Sequence, residues 1–589
     1  MIYPFGGKAL VHIPHSQQNS KLHPRALECY LLNVLPGSAG WLLWDITGKR
    51  TIQSNSVTFP DFNLPPQNTP DKGHLQHILN VALGEFPTDE IFSRQEHAIV
   101  TLPTPQDFVI PSNFKNTMKS SFRAEWHCAC LDELNQLKKR DVFVLVDKPK
   151  DAKVIGHQWV FNLKRNLTGE IQKFKARFCA RGDSQRPGID CGETYAPTAS
   201  LLCLRLLLTV AKFYKWSIAS FDSFGKIFLL KKALYGIRQA GRCWWKFFSD
   251  LLHNLGFIAN EIEQSFYLFK KRDVIIAIWI HVDDGLVARN SALALSSFSE
   301  SLKVKLEIKW FSTIDKIVGI NVLNNEHDIQ LSQPVLIQGI LNAYSRPIIK
   351  REATMLTIDY LNNNDVNTPP INPTEFCSFI GSSSYIVAGT RPDLAFSGNN
   401  LARHSAHLVN NHSLALDHLM GYLWRTQNYY LSLNPCSLNI DLWTDAGWGG
   451  SLERSHSGCV IKLGNSPIFW NSKKQTIVAL STCAAEYIAL SDATQHFVQT
   501  INHMKHFADS FEKKILCDNE AAIGISKDAL SRKRTRYLNR AFFFVNDTIQ
   551  QFNITVKCVP TSLQQANIFT KRLSGPSTKA ARELLCLRE

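Results

Sequence analysis

Val274-Ile275-Ile276-Ala277-Ile278-Trp279-Ile280-His281-Val282-Asp283-Asp284-Gly285-Leu286-Val287-Ala288 is apolar and β-branched on both sides of two adjacent aspartates. That pattern predicts a buried β-hairpin with a carboxylate pair at its tip. Neighbouring carboxylates repel, so the pair calls for protonation or a divalent cation. Mg²⁺ suits it, as a hard ion that prefers oxygen ligands. The plain alternative is an Asp-Asp-Gly turn with no ligand at all.

The 589 residues are enough for several domains, and 44% hydrophobic against 20% charged residues describes a globular chain. A formal net charge of +15 favours a polyanionic partner, most often nucleic acid. No apolar run reaches the roughly 18 residues of a bilayer span, and the start carries no apolar leader. These features predict an intracellular chain, not a secreted one, without a membrane partner. The 14 cysteines follow no zinc-ligand spacing and are expected to be reduced, mostly buried thiols.

Outward from the hairpin, Ser217–Asp222 reads as a short strand ending in a carboxylate, behind an apolar helix over Leu201–Tyr214. Further upstream, Gln158–Arg165 and Ile171–Arg181 form a second predicted hairpin around Asn166–Gly169. Lys173, Lys175 and Arg177 alternate on its return strand and so share one face, suited to phosphate. A helix is predicted from Phe122 through Trp126, Leu131, Leu134 and Leu137. Proline, asparagine and threonine between about 63 and 112 mark a linker. The first 62 residues read as short strands with Pro36-Gly37 and Thr47-Gly48 turns.

Downstream, Leu438–Trp448 is a strand that carries Asp445. Two more strands follow, around Ser457–Ile461 and Pro467–Trp470. Ser481–Tyr487 opens a long helix whose stripe is Tyr487, Leu490, Thr494, Phe497, Ile501 and Met504. Glu486 lies beside that stripe. Lys514–Glu520 is a further strand that carries Asp518, followed by another helix.

Several segments together resemble the copia-type retrotransposon polyprotein. They are Gln158-Trp159-Val160-Phe161, Phe174-Lys175-Ala176-Arg177-Phe178-Cys179-Ala180-Arg181-Gly182, Gly188-Ile189-Asp190 with Glu193-Thr194-Tyr195-Ala196-Pro197, Ala233-Leu234-Tyr235-Gly236-Ile237-Arg238-Gln239-Ala240, and His281-Val282-Asp283-Asp284. Gly381, Tyr385 and Gly389–Ala395 extend the likeness. The resemblance implies an α+β multidomain chain. Residues 1–62 would be a small β-barrel like the one after an integrase core, and 63–115 a linker. A right-hand-like reverse transcriptase with fingers and palm would span 116–330, and a thumb or connection region 331–435. A ribonuclease H-like α/β domain would take 436–575, leaving 576–589 as a tail.

The resemblance also implies an activity: RNA-directed DNA polymerase with ribonuclease H. Asp222, Asp283 and Asp284 would hold Mg²⁺ or Mn²⁺ for nucleotidyl transfer, and Asp445, Glu486 and Asp518 for RNA cleavage. Lys175, Arg177 and Gln239 would contact substrate. The partners would be an RNA template, a DNA primer, an RNA–DNA hybrid and deoxynucleoside triphosphates. Four departures point to a partly degenerate copy. Only Ser223–Phe228 separate Asp222 from the Leu-Tyr-Gly block, where the family has several tens of residues. His281 replaces a tyrosine. Asn567 replaces the fourth nuclease aspartate, and Arg534–Arg540 lacks the usual histidine and acid. The alternative reading is a remnant that retains nucleic-acid binding alone.

Overall fold

The protein is seen in a computed structural model that describes residues 8–12, 26–34, 41–45, 50–54, 57–58, 110–139, 142, 155–165, 171–186, 191–223, 236–290, 292–306, 308–348, 352–356, 371–449, 454–527 and 539–589. Residues 63–109 of the expected linker, the Asn166–Gly169 turn, Gly188–Asp190, Phe224–Tyr235 and Lys533–Leu538 lie outside these residues, while the linker's last two residues already begin a helix. The chain divides into two units, 1–76 and 77–589.

The described residues of the first unit are all β. Its strands are β1 (Lys8–His12), β2 (Ala26–Val34), β3 (Trp41–Asp45), β4 (Arg50–Ser54) and β5 (Val57–Thr58). They form one antiparallel sheet in the order β4-β3-β2-β1-β5.

The second unit opens with α1 (Phe114–Met118) and α2 (Arg123–Lys139), then the hairpin β6 (His157–Arg165) and β7 (Ile171–Ala180). Trp126 of α2 drives edge-on into Phe161 and Phe174, with ring centroids 5.3 and 4.8 Å apart. Of the predicted α2 stripe, Trp126, Leu134 and Leu137 are buried. Leu131 is only half-buried, and Ala129 and Cys130 take its place against the hairpin.

Next come α3 (Leu201–Phe213) and β8 (Ser217–Ser223). They are followed by α4 (Ala240–Asn254), β9 (Ile258–Ala259), β10 (Phe266–Lys271), β11 (Val274–His281), β12 (Asp284–Arg289), α5 (Ala292–Lys305) and β13 (Ile308–Phe311). The six strands pair in the order β13-β8-β12-β11-β10-β9. α3 is apolar on nearly every side, as a helix sealed on both faces must be.

The chain then makes β14 (Lys316–Ile317), β15 (Ile320–Asn324) and β16 (Ile329–Ser332), followed by α6 (Pro334–Ala343), α7 (Pro373–Gly389), α8 (Ala395–Ala402), α9 (Asn410–Arg425) and β17 (Tyr430–Leu433). The last region holds β18 (Ile440–Gly447), β19 (His456–Leu463), β20 (Ser466–Lys474), α10 (Thr482–Met504), β21 (Lys513–Cys517), α11 (Glu520–Lys527), α12 (Asn539–Gln551) and β22 (Thr555–Cys558). Its sheet runs β20-β19-β18-β21-β22, antiparallel over the first three strands and parallel from β18 through β22. The α10 stripe read from the sequence is buried along its whole length. The content is thus mixed α and β. No helix among the described residues is long and apolar enough to cross a membrane.

Three expectations change. Residues 576–589, expected as a tail, carry most of α13 (Gly575–Leu584) and β23 (Leu587–Arg588). β23 pairs with β17 and completes the sheet β14-β15-β16-β17-β23. The hairpin turn is Val282-Asp283, not Asp-Asp-Gly, because Asp284 already pairs with His281. Gly285 therefore lies inside β12, where a Cβ would stand 2.1 Å from the Phe221 ring. Finally, only six of the thirteen described cysteines are buried, and Cys243, Cys377, Cys436 and Cys558 are exposed. Spacing says nothing about which face of an element a thiol takes.

Candidate active sites on two sheets

The strand register brings the three hairpin-sheet aspartates together. Asp284 opens β12 directly opposite Asp222 on β8, and Asp283 occupies the turn beside it. Val282 takes a φ of 56°, uncommon for a β-branched residue, and its carbonyl accepts from Trp244 Nε1 of α4 at 2.8 Å. One aromatic on the preceding helix thus holds the turn. Burial, with Asp222 as the next cause, pushes Asp283 up to about 6, against the pull of Arg177 and Lys175. Asp284 is raised by burial and then by Asp222, while the Val318 backbone N–H donates to it and pulls the other way.

Val318 was not foreseen. It sits at φ 40° and Gly319 at φ 77°, in the two-residue turn between β14 and β15. Both central residues at positive φ define a tight hairpin turn, and a branched side chain there is strained. The Tyr385 hydroxyl of α7 donates to the Val318 carbonyl and ties down the other end of that residue. No local pattern in the sequence links position 318 to position 284.

Lys175 and Arg177 of β7 lie within electrostatic reach of the carboxylates. Burial and the neighbouring Arg177 and Lys164 lower the Lys175 ammonium, while Asp222 supports it. Gln239 precedes α4, and its Oε1 accepts from Gln185 Nε2 at 3.3 Å. Its neighbour Arg238 donates through Nε to the Gly182 carbonyl at 2.9 Å. The approach there is so close that a Cβ on Gly182 would meet the Gly236 carbonyl oxygen at 2.0 Å. Two distant sequence segments therefore dock backbone to backbone. His281 stacks on Trp279, with centroids 5.9 Å apart.

The second sheet gathers another acidic set. Asp445 lies within β18 and is 2% exposed; Glu486 starts the second turn of α10 and is 8% exposed. Asp518 follows β21 directly. Glu486 Oε2 is buried with no hydrogen-bond partner among the described residues. Burial first, then Asp445 and Asp518, push Glu486 up to about 8, although the Ala446 N–H donates to it. Burial raises Asp445 too, opposed by Lys571, whose Nζ stands 3.6 Å from Oδ2. Thr570 Oγ1 donates to the same oxygen.

The segment that carries Asn567 reaches this sheet over two glycines. A Cβ on Gly447 would meet the Thr570 carbonyl oxygen at 2.6 Å, and one on Gly458 would meet Phe569 at the same distance. Asn567 turns its amide N–H to the Thr561 carbonyl at 2.9 Å. Thr570 and Lys571 were missed as partners of Asp445. The Arg534–Leu538 segment and the residues between Ser223 and Gly236 lie outside the described residues.

Both clusters suit a hard cation. Each offers mutually repelling carboxylates, half-buried in the first set and with Asp445 and Glu486 buried in the second, whose charge a divalent ion would neutralise.

Known proteins resemble this chain over much of its length. The family model "Reverse transcriptase (RNA-dependent DNA polymerase)" matches residues 140–224 and 219–347, in two pieces that meet at Asp222. The model "Retroviral polymerase SH3-like domain" matches residues 8–72. The stretch 140–347 is thus similar to a reverse transcriptase, and the stretch 8–72 to a domain of retroviral polymerases. The retrovirus-related Pol polyprotein from transposon RE1 of Arabidopsis thaliana is 26% identical, over 76% of this chain and 33% of that protein. The one from transposon TNT 1-94 of Nicotiana tabacum is 22% identical, over 99% of this chain and 51% of that protein. These matches support a copia-type retrotransposon Pol polyprotein as what this chain is similar to. The chain spans about a third to a half of the length of these relatives. Among solved structures, the N-terminal RNase H domain of rv2228c from Mycobacterium tuberculosis covers 25% of this chain and 98% of its own, at 16% identity and a TM-score of 0.19.

Proposed function

We propose that the chain is an RNA-directed DNA polymerase with an attached ribonuclease H. The observation that carries the reading is the placing of Asp284 opposite Asp222 on paired strands, with Asp283 in the adjoining turn and within electrostatic reach of Arg177 and Lys175 of β7. In this reading β6–β7 is part of the fingers, the β8–β13 sheet is the palm, and α6–α9 with β14–β17 form the thumb and connection. The strands of the first unit are the small barrel. Asp222, Asp283 and Asp284 would hold Mg²⁺ or Mn²⁺ at the polymerase site, and Asp445, Glu486 and Asp518 at the nuclease site. When bound, such ions activate the attacking oxygen and steady the leaving one. Lys175 and Arg177 offset the triphosphate charge, and Gln239 would contact substrate. Template RNA, primer DNA, their hybrid and deoxynucleoside triphosphates are the partners this chemistry serves.

A second reading, a remnant that binds nucleic acid without turning it over, is favoured by specific observations. Asn567 brings no charge to the nuclease site. Lys571 already pairs with Asp445. The family match breaks at Asp222. Primer extension on an RNA template with Mg²⁺ or Mn²⁺ separates the two. Extension that disappears in Asp283→Asn supports the polymerase. Binding without extension leaves the remnant. For the nuclease, hybrid cleavage is expected to be weak and to rise at least about tenfold, or roughly 1.4 kcal/mol in barrier, on Asn567→Asp. Robust cleavage that the reversion leaves unchanged would overturn the weak-nuclease reading.

A further inference from the structure

Away from both acidic clusters, Cys203 of α3, Glu263 before β10 and His503 of α10 meet in the core between the two sheets. All three are buried, and their donor atoms lie within 4.8 Å of one another. Cys203 Sγ is 2.9 Å from Glu263 Oε2 and 3.4 Å from His503 Nε2. His503 Nε2 is 3.8 Å from the same Glu263 oxygen. His503 Nδ1 is buried and makes no hydrogen bond among the described residues, so the ring is oriented from its Nε2 side. The Ser200 hydroxyl adds an oxygen 2.9 Å from Glu263 Oε2.

We propose that Cys203, Glu263 and His503 form a structural zinc site that pins α3 to α10. Zinc takes sulfur, imidazole and carboxylate donors together, in a tetrahedron whose edges are about 3.3–3.6 Å. The three observed separations bracket that range, so side-chain adjustments of a few tenths of an ångström complete it. Charge argues the same way. A carboxylate and a thiolate sealed in an apolar core carry −2, which one Zn²⁺ cancels while the imidazole stays neutral. Binding replaces the S–H bond with S–Zn and releases the thiol proton to solvent. Ser200 Oγ is the candidate fourth donor. Without metal, Glu263 accepts the Ser200 N–H at the start of α3 and the Cys203 S–H.

The test uses the full chain, stripped with a chelator and titrated with Zn²⁺ or Co²⁺ alone, and reads no polymerase or nuclease activity. It therefore stands or falls apart from the functional proposal. The expected result is one tightly held zinc per chain and, with cobalt, a thiolate-to-metal charge-transfer band. The band persists in Cys517→Ser and is lost in Cys203→Ser. His503→Gln weakens zinc binding by more than the roughly 10–100-fold that a lost outer partner costs. A wild-type cobalt complex without the thiolate band overturns the site, whatever the variants do. So does a band that Cys517→Ser removes and Cys203→Ser leaves.

Discussion

Glu486 shows what a single buried acid does to the protein around it. Its folded value, about 8, lies far above the roughly 4.3 of a free glutamate. The stability linked to that group is fully present below the lower value and is lost as pH rises through about 8. The metal-free chain should therefore melt at lower temperature as pH goes from 5 to 9. Even about 1 kcal/mol would move Tm by roughly 2–4 °C for a region of this size. Glu486→Gln should flatten the trend, and an unchanged slope in that variant would sink the explanation. Gly285 is a different case. With Phe221 2.1 Å from where its Cβ would be, Gly285→Ala overpacks the sheet. A loss of about 1–3 kcal/mol in chemical denaturation is expected, partly recovered when Phe221→Leu is added. The carboxylates themselves were legible from sequence order. The need for glycine at 285 was not, because it depends on a ring from a strand 64 positions away.

At the scale of elements, the sequence spoke clearly wherever burial followed one period. The α10 stripe comes from one face packing down onto β18 and β19 of the sheet it covers. It spoke less clearly where elements meet through backbone. The Gly182–Gly236 contact and the Val318-Gly319 turn leave no periodic trace. α4 is the best place to test how an element shapes the hairpin. Trp244→Phe keeps most of the packing against Phe248 and removes the hydrogen bond to the Val282 carbonyl. The expected cost is about 0.5–1.5 kcal/mol in stability, as for one ordinary hydrogen bond. Faster amide exchange at Asp283 and Asp284 should accompany it, with the rest of the sheet unaffected. Exchange that stays slow there would mean that the turn is held by something else.

The second unit, viewed whole, is built around one continuous core that runs from α3 through α7 and α9 to α10. Arg205 is its polar pivot. Its guanidinium donates to the carbonyls of Ile468, Ala388 and Gly389, and burial lowers it to about 9. Arg205→Met would leave three carbonyls without their donor, at an expected cost of about 3–5 kcal/mol by denaturant titration. A cost under about 1 kcal/mol would show that water replaces it. None of this was readable in the sequence, where Arg205 is one charge in a leucine-rich helix. The pairing of β17 with β23 has a consequence of another kind. The stretch between them enters and leaves the same sheet side by side, about 4.8 Å apart. In the logic of chain topology it is a loop that happens to be about 150 residues long. Loops can be exchanged without changing which strands are neighbours, and lengthening one costs little closure entropy. A cassette of this kind is easily acquired by a lineage. Discarding it is harder, because its removal would bare the shared core on α3.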